Sequence, residues 1–212
     1  VSRILRGGQL PARAFTPPGT AGYTFPATAT NHAGEVAAAR KLLAEAGYPE
    51  GKGLPPVELL YNTSESHKLI AEAIQEMWRR DLGVEVRLAN QEFSSTLEAR
   101  RTGAYEILRS SWSADYADPA SFLDIFRSDS GNNFTGWSNP AYDTALTAAS
   151  RAATAAERNA LFRQAESLLL DAAPIIPIYH YTHVFVIRPE VKGWFPTLLD
   201  HHPYKAVWLE GK

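Results

Sequence analysis

The chain has 212 residues, 45% of them hydrophobic, and a fold of that length buries about 70% of the surface that its unfolded chain exposes, so it needs no disulfide or metal staple. Its 21 lysines and arginines nearly balance 23 aspartates and glutamates, which leaves no basic field for a nucleic acid and no polybasic run for an anionic membrane. With no cysteine, disulfides, thiolate chemistry and cysteine-ligated metals are excluded, and the redox compartment is left open.

Taken in order, residues 1–30 hold Gly7, Gly8, Pro11, Pro17, Pro18 and Pro26 with few periodic apolar positions, the composition of an extended connecting segment. Residues 1–10 lack the apolar core and cleavage site of a signal peptide, and no stretch approaches the roughly 20 apolar residues of a membrane span. Val36, Ala39, Leu42, Leu43 and Ala46 fall at helical spacing over 33–46, with Gly47 placed to end that helix. After a loop at 51–56, residues 57–61 read as a strand. Asn62, followed three residues later by Glu65, predicts the cap of a helix whose apolar face is Leu69, Ile70, Ala73, Ile74, Met77 and Trp78, closed by Arg79, Arg80 and Gly83. A strand over 84–88, a short helix over 93–101 and a strand beginning at Tyr105 complete a β-α-β-α-β series, which implies parallel strands. Further on, Asp118 and Pro119 predict a helix start, and residues 140–150 a helix. Thr154 and Glu157 form a capping box for a helix that turns Leu161, Phe162, Ala165, Leu168 and Leu169 inward. Residues 175–181 and 184–187 read as strands, with Pro177 placing the first at an edge or a strand start, and 204–209 as a last short strand. Helices outweigh strands.

The stretch richest in chemistry is 105–126, YEILRSSWSADYADPASFLDIF. Its apolar alternation breaks at Arg109, Ser110 and Ser111, so a strand ends there at something polar. In an open α/β sheet, ligands settle outside the carboxyl ends of the strands, which is where Arg109, Trp112, Ser113 and Asp115 fall. The chain lacks a G-x-S-x-G elbow, a phosphate-binding loop, a dinucleotide fingerprint and an H-E-x-x-H metal helix. Asp115, Asp118 and Asp124 contain enough carboxylates for a glycosidase pair, yet aspartates crowd loops and caps for ordinary reasons. His180 and His183 point to opposite faces if they share a strand, which weakens a metal reading, and adjacent His201 and His202 offer little more.

The run resembles the oligopeptide-binding proteins of bacterial ABC importers, extracellular solute-binding protein family 5. Their ligand-facing pattern R-x-x-W-x-A-D-Y-x-x-P-x-x-F-L is met by Arg109, Trp112, Ala114, Asp115, Tyr116, Pro119, Phe122 and Leu123. The resemblance implies that Asp115 partners a peptide's α-amino group, that Arg109 meets a ligand carboxylate, and that the peptide lies along the backbone of 109–113 like an added strand. YNTSESHKLIAEAIQ resembles the matching helix of the family, which implies that His67 approaches the ligand's carboxylate. Phe93, where the family commonly has tryptophan, is expected to line a side-chain pocket, with Arg100 a more distant candidate. The run from Gly131 to Trp137, with Pro140, Tyr142 and Asp143, matches the family as scaffold.

Residues 1–23 resemble an internal stretch of the family, so the chain is expected to be the C-terminal part of a larger protein. The implied fold is one lobe of a periplasmic-binding-protein type II-like architecture, an α/β lobe with a mixed sheet and flanking helices. Residues 1–30 are expected to cross between lobes, 31–192 to form the ligand-binding lobe and 193–212 to return toward the missing N-terminal lobe. The implied function is non-enzymatic: capture of short peptides, without a cofactor, for delivery to an ABC permease from the periplasm or cell envelope. Dipeptides, cell-wall peptides, nickel complexes or another small solute are alternatives within that architecture, and a hydrolase of peptides or glycosides is the alternative outside it.

Overall fold

The computed structural model describes residues 1, 4–26, 32–197 and 199–211. The expected junction between crossing segment and lobe, 27–31, lies outside the described residues. In chain order the elements are β1 (Leu10–Pro11), α1 (His32–Glu45), β2 (Val57–Asn62), α2 (Glu65–Leu82), β3 (Val86–Gln91), α3 (Phe93–Thr102) and β4 (Ile107–Leu108). There follow α4 (Ala120–Leu123), α5 (Pro140–Ala149), α6 (Ala155–Ala172), β5 (Tyr179–His180), β6 (Val191–Lys192) and β7 (Trp208–Leu209).

The β-α-β-α-β series forms a three-stranded parallel sheet in the order β3-β2-β4. Central β2 buries Leu59, Leu60 and Tyr61 in succession, as a strand covered on both faces must. Its register, Val57 opposite Val86 and Asn62 opposite Gln91, carries pairing past the expected end of the strand. Asn62 is therefore the last residue of β2 and not a helix cap. Ser64, extended at φ −170°, occupies the cap position of α2 and makes no capping bond with its side chain. The second strand likewise runs from Val86 to Gln91 instead of 84–88. Helix α2 rests on the sheet through Ala71, Trp78 and Leu82, while Leu69 and Met77 of the expected apolar face are exposed. Gly83 closes it in the left-handed conformation (φ 69°), as expected. Gly47 closes α1 the same way (φ 92°), with Tyr48 N–H donating to Leu43 O and Gly47 N–H to Ala44 O.

A second core lies among α4, α5 and α6, where Leu123, Tyr142, Leu146, Phe162, Ala165 and Leu169 are buried. Asn139 caps α5 through bonds from Ala141 N–H and Tyr142 N–H. Thr154 caps α6 by accepting from Glu157 N–H at 3.2 Å, but Glu157 reaches back to Ala153 N–H and not to Thr154, so the box closes one residue early. The connecting segment contributes here more than its composition suggests. Ala14, Thr16, Thr20 and Tyr23 are buried, and the Phe15 ring stands edge-on to Phe126 at 5.0 Å.

The later strands are shorter than expected. Of 175–181, β5 pairs antiparallel to β1 and Ile178 O accepts from Ala12 N–H at 3.1 Å, so Pro177 precedes the pairing. Residues 184–187 form no strand, and Val186 is fully exposed. A 3₁₀ turn at Tyr204–Ala206 precedes β7, which pairs antiparallel with β6. The parallel sheet and the two antiparallel pairs, with flanking helices, make this an α/β lobe, but they are separate sheets, so among the described residues no single sheet is mixed as expected. Among the described residues no helix is long and apolar enough to cross a membrane.

Candidate ligand-binding site

Parallel pairing brings the carboxyl ends of three strands to one edge. Arg109 N–H donates to Leu60 O at 2.8 Å, the last rung between β4 and β2, and Thr63 N–H donates to Gln91 O at 2.8 Å on the other side. Beyond those rungs the chain turns polar, because side chains past the sheet's edge have no apolar partner. His67 in the first turn of α2, Phe93 at the start of α3 and Arg109 after β4 consequently share this edge.

His67 Nδ1 lies 3.3 Å from Asn62 O, so that nitrogen carries the proton and Nε2 faces outward. Burial, and then the charge of Arg109, hold the imidazole below its ordinary pKa of 6.5, against the bond to Asn62. The site thus offers a guanidinium beside a neutral imidazole. Between them stands Tyr181, just after β5. Its hydroxyl accepts from Arg109 Nη2, and its oxygen lies 3.5 Å from His67 Nε2. Burial first, and then a bond with Tyr179, raise the phenol. Sequence reasoning missed Tyr181: it lies 72 residues from Arg109, and no local pattern links the two.

The loop after Arg109 is tied down at Ser121, which is buried. Trp112 Nε1 donates to Ser121 O at 2.7 Å and the indole packs on the helical core, so Trp112 anchors the loop. Asp115 N–H donates to Ser121 Oγ at 3.0 Å. The Asp115 side chain is exposed and, among the described residues, its carboxylate makes no hydrogen bond or ion pair. Ser113 is exposed on the same loop. The neighbouring acids are committed elsewhere. Asp118 takes a two-pronged bond from Arg158 at 2.6 and 2.8 Å and caps Ala120 N–H; burial raises its carboxyl, but these bonds outweigh it and the net shift is downward. Asp124 pairs with Arg127 at 2.8 Å.

Phe93 lies half in solvent at this edge. Arg100 does not join it. Seven residues on, α3 has run about 10 Å back toward the other end of the strands. There the Arg100 guanidinium sits 4.6 Å from the Phe134 ring, with its Nε buried and without a hydrogen-bond partner. Among the described residues no group of three or more His, Asp or Glu side chains is arranged to hold a metal.

A family model described as bacterial extracellular solute-binding proteins, family 5 Middle, matches residues 1–134. The periplasmic murein peptide-binding protein MppA of Escherichia coli is 42% identical over 195 residues, which cover 91% of this chain and 36% of that protein. Its solved structure superposes with a TM-score of 0.88 at 39% identity, over 98% of this chain and 42% of that one. The periplasmic oligopeptide-binding protein OppA of Salmonella typhimurium is 36% identical over 202 residues, covering 92% of this chain and 36% of that protein. OppA of Haemophilus influenzae, solved in complex with RPPGFSPFR, superposes with a TM-score of 0.84 at 32% identity, over 98% of this chain and 42% of that one. The chain spans a little over a third of the length of the curated relatives it matches.

Proposed function

The chain belongs to the bacterial extracellular solute-binding proteins of family 5, and on that premise we propose that it is the C-terminal lobe of an ABC importer's solute-binding component, which captures short peptides non-covalently and delivers them to a membrane permease. The observation that carries this reading is Asp115: an exposed carboxylate with no hydrogen-bond or ion-pair partner among the described residues, on a loop fixed at Ser121. Asp115 takes the peptide's α-amino group. Arg109, which has no carboxylate partner among the described residues, takes a carboxylate together with His67. The peptide backbone runs along 109–113 and past Ser113, with Trp112 holding the loop and Phe93 lining a side-chain pocket. Arg100, stacked on Phe134, takes no part.

In this reading residues 1–30 cross between lobes, 31–192 form the ligand-binding lobe, and 193–212 return toward the N-terminal lobe. The pairing of β1 with β5 lays the incoming and outgoing chain side by side, which suits a crossing at that point. The protein works in the periplasm or cell envelope.

Native mass spectrometry of the intact protein tests the ligand class. Short peptides carried through purification are the expected result, with a cell-wall peptide the subclass that the likeness to MppA favours; a non-peptide solute alone would overturn the reading. Calorimetry tests the residue. Asp115→Asn in the intact protein is expected to weaken peptide binding by about 2–5 kcal/mol, the scale for removing one member of a buried charge pair. Equal affinity for free and N-acetylated peptides would remove Asp115 from this role.

A further inference from the structure

Tyr181 occupies the place that the proposed function gives to a ligand's carboxylate. The phenolic oxygen accepts from Arg109 Nη2 and lies 3.5 Å from His67 Nε2, whose lone pair faces it because Nδ1 is turned to Asn62 O; the one hydroxyl hydrogen is shared between that lone pair and Tyr179. One oxygen thereby stands against a guanidinium and a neutral imidazole at once. The Arg109 carbon also lies 5.8 Å from the Tyr181 ring centre, within reach of the ring's face. A neutral oxygen is the weaker partner for a guanidinium, since a carboxylate adds the opposite charge and can accept two parallel N–H bonds where one hydroxyl accepts from a single nitrogen.

We propose that Tyr181 is a carboxylate stand-in: it holds Arg109 and His67 in position before binding, and a ligand carboxylate displaces it. This rests on the proposed function of the same edge. The backbone around Tyr181 stays in place during the exchange, because His180 on one side pairs with Leu10 and Thr182 Oγ1 on the other donates to Gly7 O at 2.7 Å. The motion is therefore a rotation of the side chain, in a residue 52% exposed, that breaks the ring's 4.9 Å contact with Tyr179. Tyr181 acts through Arg109, so it is a positioning and specificity residue. Its hydroxyl reduces the affinity for any carboxylate that must replace it and leaves a carboxamide, which gains little from Arg109, nearly unaffected.

The test compares the intact wild-type protein with Tyr181→Phe, which removes one oxygen at a half-exposed position. Calorimetry with a short peptide and its C-terminal amide is expected to show the amide unchanged and the free acid bound about fivefold more tightly by the variant, the effect of losing one competing hydrogen bond. An unchanged or smaller acid-to-amide ratio overturns the proposal. A second reading does not depend on peptides being the ligand. Acetate titrated against the His67 imidazole NMR resonance is expected to act at about fivefold lower concentration in the variant. If peptides fail to bind wild type but acetate behaves so, the proposed function fails and the stand-in survives; identical acetate curves overturn the stand-in.

Discussion

Glu166 lies on the face of α6 shared by Phe162 and Leu169, fully buried. It fastens the connecting segment to the helical core: Oε1 accepts from Phe15 N–H and Thr16 N–H at 2.8 Å each, and Oε2 from Tyr23 Oη–H at 2.7 Å. Burial pushes the carboxyl above its ordinary 4.5, and these bonds only partly oppose it. A folded pKa raised above the unfolded one contributes stability that is full below about 4.5 and lost as pH rises through the folded value. Glu166→Gln keeps an acceptor for the two backbone N–H groups and an amide for Tyr23, so it is expected to gain on wild type as pH climbs from about 4.5 toward neutrality. Glu166→Ala leaves those donors buried and unmatched and is expected to cost about 3 kcal/mol. Urea denaturation of the three proteins across pH checks both, and parallel pH profiles for Gln and wild type would contradict the first. The signal was present in the sequence, an acid four residues after Phe162 on an apolar face. Composition does not say whether such an acid is solvated or paired, because its partners lie some 150 residues away.

At the scale of elements, the turn at Pro49–Gly51 and the end of α2 meet backbone to backbone. A Cβ on Gly83 would stand 2.2 Å from Glu50 O, and φ of 69° there already disfavours a side chain. Gly103 ends α3 at a similar φ of 71°, yet a Cβ there meets nothing within 4 Å. Gly103→Ala therefore isolates the conformational cost, about 1 kcal/mol, and Gly83→Ala adds the collision, for about 3 kcal/mol in all. Thermal or urea unfolding of the two variants measures the difference; equal losses would mean that the turn simply moves aside. Gly83, like Gly47, was legible as a closing residue, because a left-handed helix end calls for glycine whatever surrounds it. The start of α2 was not. The capping pattern at Asn62 and strand pairing with Gln91 compete for one residue, and pairing with β3 prevails.

Over the whole molecule, apolar exposure is uneven. The helical core is closed, but Val184, Val186, Tyr204, Trp208 and Leu209, toward the C-terminal end of the chain, are largely exposed. The edge proposed to bind the ligand is open in the same sense, with Asp115 exposed and Arg109 and Tyr181 reached by solvent. Ligand sites usually enclose most of the ligand, and an ion pair in water contributes only about 0–1 kcal/mol. We expect the 212-residue chain to fold, since its caps, turns and apolar faces agree with one another, and to bind peptide at millimolar strength or not at all, about −4 kcal/mol at best. Titration with a mixed library of short peptides checks this. Micromolar binding would place the whole site within this chain and end the two-lobed reading.

The sequence by itself determined the parallel β-α-β-α-β order, the helix ends at Gly47 and Gly83, the helices that open at Pro140 and Ala155, and the polar turn that begins at Arg109 just past the third parallel strand. Each follows from periodicity, backbone preference or a motif contained within a few turns of chain. Tertiary structure alone decided which groups around that turn are available: Asp118 and Asp124 bound to arginines, Asp115 left open, Arg100 drawn off to Phe134, and Tyr181 brought between Arg109 and His67. It also turned residues 14–23 from a connection into part of the core and left 184–187 unpaired, because a short apolar run records hydrophobicity but not the partner that will cover it.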